Sequence, residues 1–248
     1  MKFRYTFLFL IIFTGLLTSC NQGLVDTSPV PTIEIINLQI TPELEHWMPK
    51  ISQCANSIEG IGIYSDILIQ TELSISQADM VIRLGKQTES DPYVAVMGLE
   101  EITLLTGSEV PVEELSINSI RAIFSGEITN WGEVPEVRDQ EIEINQPIIT
   151  MSYPEENIVR ELFRRSFLEN EPIMSDPLIY STPEGLNRLL QENPYGIAFT
   201  LKSHLLENQD PLEISDFNTL LAQEYVLVIT NIEPQGNLKQ LLLCLQDS

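Results

Sequence analysis

The side chains that could do chemistry in this sequence are few: two histidines, three cysteines, and scattered hydroxyls and arginines beside short apolar runs. His46, beside Trp47, and His204, in Lys202-Ser-His-Leu205, have no further ligand at metal-binding spacing, so both read as surface residues rather than metal ligands or general bases. Neither a G-x-S-x-G turn that would expose a serine nucleophile nor a phosphate-cradling P-loop occurs. An enzyme is not expected, and no cofactor or metal is implied. The acidic run Asp139-Gln-Glu-Ile-Glu143 reads as a solvated face.

Cys20 has a context of its own. Lys2 and Arg4 precede the apolar run Phe7-Leu-Phe-Leu-Ile-Ile-Phe13, Gly15-Leu-Leu-Thr-Ser19 follows, and residues 1–19 contain no acidic side chain. A basic start, a short apolar core and small residues before a cut make a secretion signal, whereas a spanning helix needs about 20 apolar residues. Leu17-Thr-Ser-Cys20 is similar to a bacterial lipobox, which implies cleavage before Cys20, lipidation of its thiol, and an extracytoplasmic protein anchored to the cell membrane. The alternatives are an ordinary signal peptide with an incidental cysteine, or an uncleaved anchor. Residues 20–32 are rich in turn formers and read as a tether.

Without Lys2 and Arg4 the 13 basic residues fall to 11 against 36 acidic ones, so the mature chain carries a net charge of −25. Contact with nucleic acid or an anionic lipid surface would be opposed electrostatically. A small anion is not excluded, because backbone N–H groups and helix N-termini can hold one in an acidic protein. The 229 residues that follow the signal suffice for one large domain or two small ones.

Elements that could position a site alternate along the chain. Ile33–Ile40 reads as a strand; Thr41-Pro42 opens a helix with a preferred cap and a first-turn proline; Leu44, Trp47, Met48, Ile51, Cys54 and Ala55 form its apolar face, and Pro49 should kink it. Further strand-like runs are Gly60–Tyr64, Ala78–Leu84, Tyr93–Met97, Ile102–Leu105, Pro147–Met151, Tyr195–Phe199 and Tyr225–Ile229. Short apolar runs separated by helices and turns predict an α/β fold with a sheet covered on both faces.

One stretch, Ile123-Phe-Ser-Gly-Glu-Ile-Thr-Asn-Trp131, is less generic. An amphipathic helix ends at Gly126, where a left-handed stop belongs, and a short polar loop runs directly into a tryptophan. This segment resembles a recurrent signature of the phosphate-binding components of bacterial ABC transporters and of the wider type II periplasmic-binding-protein superfamily. Weaker matches follow the family's order: Thr41-Pro42, Ala78-Asp-Met-Val-Ile-Arg-Leu-Gly85, Ile158–Leu168 and Asn193-Pro-Tyr-Gly-Ile-Ala-Phe-Thr200. The resemblance spans nearly all of residues 33–248. It implies two lobes, each a sheet flanked by helices, joined by two crossing strands near Val94–Leu105 and Gly196–Leu201. Residues 33–98 plus 200–248 would form the first lobe and 99–199 the second. Trp131 itself reads as a buried anchor for its loop.

The resemblance also implies a ligand cleft between the lobes, and there this sequence departs from the family. Thr41 matches a first-lobe hydroxyl, although capping alone would explain it. The family's second-lobe arginine and Ser-Gly-Thr run are replaced by Tyr153 and Asn157-Ile158-Val159, beside Glu155 and Glu156, and a first-lobe Ser-Asp segment by Arg83-Leu84-Gly85. The expected ligand contacts are therefore Thr41, Arg83, Tyr153 and Asn157, with Ser152 brought in by a small shift of alignment; Arg83 could equally be a solvated strand end. Because the family places both chain ends in one lobe, Cys54 and Cys244, on the apolar faces of the first and last helices, could form a disulfide; the alternative is two buried thiols. The expected function is capture of an unidentified small ligand by a monomeric lipoprotein serving an ABC transporter permease, with a degenerate phosphate site. A sensor or interaction module is the alternative, and a hydrolase a more distant one.

Overall fold

The computed structural model describes residues 32–247 except 141–143 and 175. The stretch expected to be a signal peptide, Cys20, nearly all of the expected tether and the Glu141–Glu143 part of the acidic run lie outside the described residues.

Ile36, Leu38 and Ile40 alternate into the core along β1 (Glu34–Ile40), which pairs in parallel with β2 (Ile61–Ile67) and β3 (Met80–Leu84). The apolar runs at Tyr93–Met97 and Ile102–Leu105 are not two strands but one, β4 (Tyr93–Thr106). Its first part pairs antiparallel with β10 (Gln223–Thr230), which also borders β3, and its last part, Ile102–Thr106, pairs antiparallel with β8 (Gly196–Leu201). Beyond β8 lie β6 (Ile149–Ser152) and β7 (Leu178–Ile179), both parallel. The eight strands follow the order β2-β1-β3-β10-β4-β8-β6-β7, so β4 carries the sheet from one half into the other. A second, two-stranded sheet joins β5 (Glu114–Ser116) to β9 (Glu213–Ser215) in parallel.

The proline-rich first helix splits as its sequence requires. Pro42–Trp47 forms a 3-10 helix, and α1 (Met48–Asn56) begins so that Pro49 falls in its first turn, where a missing N–H costs nothing. In α2 (Ile117–Phe124) the Ser116 hydroxyl accepts from the Ser119 N–H, and Gly126 takes φ 80° just beyond the end. The helix α3 (Pro135–Asp139) follows Trp131, which is fully buried and donates from Nε1 to the Tyr195 carbonyl at 2.9 Å. Elsewhere in the core, Phe163 of α4 (Ile158–Phe167) stacks on Phe199 with ring centroids 3.9 Å apart. After α5 (Pro183–Glu192), the last helix α6 (Gly236–Asp247) returns to α1, where Cys54 and Cys244 are bonded with Cα atoms 5.8 Å apart. Among the described residues no helix is long and apolar enough to cross a membrane.

Candidate functional site

Two parallel pairs of strands, β1 with β2 and β6 with β7, end around one hollow. The residues that follow β1 (Pro42, Glu43), β2 (Ile69, Gln70), β6 (Pro154, Glu156, Asn157, Ile158) and β7 (Ser181) line a cavity of about 310 Å³. β1 and β2 open the sheet order, while β6 and β7 close it, so the curl of the sheet brings the strand ends of both halves together. The carboxyl ends of strands are where α/β sheets hold ligands, and this volume falls at the lower end of the usual range of about 300–1,000 Å³.

Larger hollows of about 590 and 730 Å³ flank β5 and β9. What separates the strand-end cavity from them is unmet hydrogen bonding. Among the described residues three buried side-chain oxygens have no hydrogen-bond partner: Thr41 Oγ1, Glu43 Oε1 and Gln70 Oε1. Two belong to residues lining this cavity and the third adjoins it. Folded proteins leave few such groups, because each orphan costs about 1–3 kcal/mol.

Thr41 does not cap its helix. Its backbone is extended as a cap's should be, yet its fully buried hydroxyl makes no capping bond, and the first-turn N–H of Leu44 takes the Thr41 carbonyl instead. Two residues on, Glu43 is only 5% exposed. Burial pushes its carboxyl above the ordinary range, against its own N–H and the nearby Thr41 hydroxyl, which approaches without the geometry of a hydrogen bond. On the opposite wall Asn157 caps α4, its Oδ1 accepting from the Val159 N–H at 2.8 Å.

His46 is exposed, in keeping with the surface position its spacing suggested, whereas His204 is half-buried; both make ordered contacts. His46 Nδ1 and His204 Nε2 both meet the Glu43 carbonyl, at 3.2 and 2.9 Å, and their rings pack edge to face. Glu100 of β4 accepts from His46 Nε2 at 3.0 Å and from Ser203 Oγ at 2.7 Å. Since His204 Nε2 must donate to a carbonyl, its Nδ1 is free to accept from Tyr153 Oη, 3.4 Å away, or Thr200 Oγ1, 3.5 Å away. Burial would raise the Glu100 carboxyl, but hydrogen bonds from His46 and Ser203 outweigh it and hold it below the usual range. For His204, burial holds the imidazole below the usual histidine value, only partly offset by the Glu43 carbonyl. The unfolded chain protonates His204 near pH 6.5, the folded chain only lower, so the unfolded state binds more protons in between. Stability should therefore fall as pH drops below about 6.5. In His204→Gln this part of the loss should shrink, as urea unfolding at pH 7.5 and 5.5 would show.

Of the other residues expected at the cleft, Asn157 lines the cavity but Arg83, Ser152 and Tyr153 do not. Arg83 is neither solvated nor available: its guanidinium pairs with Asp91 at 2.9 Å and donates to the carbonyls of Leu84 and Lys86. Ser152 is fully buried and its Oγ donates to the Tyr153 carbonyl. Tyr153 sits in the core against Tyr180, its hydroxyl 3.1 Å from Thr200 Oγ1, and burial pushes its phenol far above the usual range. The Arg83 arrangement depends on Gly85, at φ 126°, where an added Cβ would lie 2.9 Å from the arginine's Nη1. Gly85→Ala should cost about 1–2 kcal/mol, measurable by urea unfolding.

Glu43, Gln70 and Ser181 were not expected at the site. Glu43 had one readable signal: it lies four residues before Trp47 and eight before Ile51, placing a carboxylate on the apolar helical face. Gln70 and Ser181 follow strands with nothing local to mark them.

No protein-family model and no curated protein matches the sequence. Solved structures do match. A protein from Clostridium perfringens, described as a phosphate ABC transporter substrate-binding protein and solved with bound phosphate, superposes with a TM-score of 0.66 at 14% identity, over 85% of this chain and 92% of that one. An ABC-type phosphate transport receptor from Vibrio cholerae gives 0.61 at 12% identity, over 86% and 93%. The reduced form of OxyR from N. meningitidis gives 0.61 at 13% identity, over 86% and 95%. The fold is the two-lobed α/β fold of the type II periplasmic binding proteins. The sequence resemblance read from Ile123–Trp131 and the structural likeness agree on it.

Proposed function

We propose that this chain is an extracytoplasmic solute-binding lipoprotein that captures a small ligand between two lobes and hands it to an ABC transporter permease. Its lobes comprise residues 33–98 plus 200–248 and residues 99–199, with β9 hydrogen-bonded to β5 of the second lobe. One observation carries the reading: the orphaned buried oxygens collect at one cavity, at the carboxyl ends of strands from both halves of the sheet. A bound ligand would give those atoms partners, and lobe closure would exchange solvent contacts for protein contacts. The likeness to phosphate receptors supports the binding role, and the absence of basic residues from the cavity lining supports a degenerate phosphate site. The likeness to OxyR favours a second reading, the same cleft serving a sensor or interaction lipoprotein. No catalytic role is assigned.

A thermal-shift screen over oxyanions, amino acids, amines and sugars tests the binding role. A ligand at 100 times its dissociation constant stabilises the native state by about 2.7 kcal/mol. A screen in which no solute raises the melting temperature would count against it. The anchor has a separate test: mass spectrometry of the membrane-associated protein should find a lipid-modified Cys20 as the first residue.

A further inference from the structure

We infer that the strand-end cavity takes a small organic ammonium ion, its cationic head on the Glu43 carboxylate and its carbon body on the apolar walls. The inference rests on the cleft-binding reading above and specifies its ligand class.

The walls are of two kinds. Pro42, Ile69, Pro154 and Ile158 offer apolar surface, while the polar positions are Glu43, Gln70, Glu156, Asn157 and Ser181. Two carboxylates and no lysine, arginine or histidine line the cavity. Of the three orphaned atoms, Glu43 Oε1 and Gln70 Oε1 are acceptors and Thr41 Oγ1 can accept as well as donate, so a donor is the group that would serve all three. An ammonium group brings three N–H donors and a positive charge, and so satisfies the buried carboxylate in both respects. A phosphate or carboxylate ligand would bring acceptors to acceptors and a like charge to Glu43. The N-terminus of α4 opposes a cation here, since a helix start carries roughly half a positive charge. Asn157 already occupies one of its N–H groups, however, and Glu43 and Glu156 both line the same hollow. The net charge of −25 on the mature chain adds long-range attraction for cations.

Titration calorimetry of the full-length protein with n-butylammonium chloride, n-butanol and sodium butyrate isolates the charge, because the three share a carbon body. Butylammonium should bind at least tenfold more tightly than the other two. Glu43→Gln keeps the shape and removes the charge, and should weaken butylammonium about ten- to hundredfold, the usual cost of one charge-assisted hydrogen bond. Without ligand the same variant should melt no lower than the wild type, because it removes a buried and incompletely partnered charge, so lost binding would not reflect lost folding. Butanol or butyrate binding as tightly as butylammonium, butylammonium binding that ignores Glu43→Gln, or no binding of butylammonium would each overturn the inference. The cleft-binding reading would survive any of these if another solute in the thermal screen raised the melting temperature and a Ser181 or Asn157 substitution reduced that rise, and would fall with them if none did.

Discussion

Reducing the Cys54–Cys244 bond should lower the unfolding free energy by about 5 kcal/mol, the largest single effect expected from any change to this protein. The two cysteines are 190 residues apart, so the bond closes nearly the whole folded chain into a loop. In the chain-entropy model a loop of that length removes about 5 kcal/mol of conformational freedom from the unfolded state. Little in the folded state would change at first, because α1 and α6 also meet through buried Ile51, Leu241 and Leu245. The loss should therefore appear as a lower urea midpoint with a larger slope, since a chain without the bond expands further on unfolding. Unfolding curves with and without dithiothreitol, and of Cys54→Ala/Cys244→Ala, would show it. Coincident curves would mean that the bond contributes nothing. In the extracytoplasmic location proposed above the bond would persist.

Phosphate should bind weakly or not at all, although phosphate-binding proteins share the fold. A buried dianion needs several charged or hydroxyl donors converging on it, because each bare charge taken from water is costly. Among the described residues the cavity has no such set: Arg83 is committed to Asp91, Tyr153 and Ser152 are buried in the second half of the sheet, and Asn157 spends its side-chain oxygen on its own helix. Glu43 and Glu156 face the hollow instead. Each absent charged hydrogen bond is worth about 1.5–3 kcal/mol, so the loss of several should weaken phosphate by some orders of magnitude. Calorimetric titration with potassium phosphate at moderate ionic strength checks this. A sub-micromolar dissociation constant would show that the hollow between the strand ends has been misread.

Local residue types were sufficient for much of this protein. Alternating Ile36, Leu38 and Ile40, the Ser116 cap, and the glycine at 126 with its positive φ each act within a few residues, so strands, helix starts and stops could be read directly. The Gly126–Trp131 spacing carried the architecture, because a buried tryptophan whose Nε1 needs an acceptor fixes how its loop packs. Tertiary structure decided what local signals could not. The runs at Tyr93–Met97 and Ile102–Leu105 looked like two strands because Glu100 and Glu101 interrupt the apolar pattern. They fuse into β4 because Glu100 finds His46 and Ser203, partners 54 residues before it and 103 after it. Strands β5, β7 and β9, two or three residues long, are too short for any period to declare itself and exist only through their partners. The site followed the same division. Asn157 was legible as the start of α4, whereas Arg83 was lost to Asp91, and Thr41, marked by its residue type as a cap, keeps an uncapped hydroxyl. Glu43, Gln70 and Ser181 meet only because the curled sheet gathers the ends of four strands far apart in sequence, and burial there, rather than residue type, turns a common glutamate into an unmet acceptor.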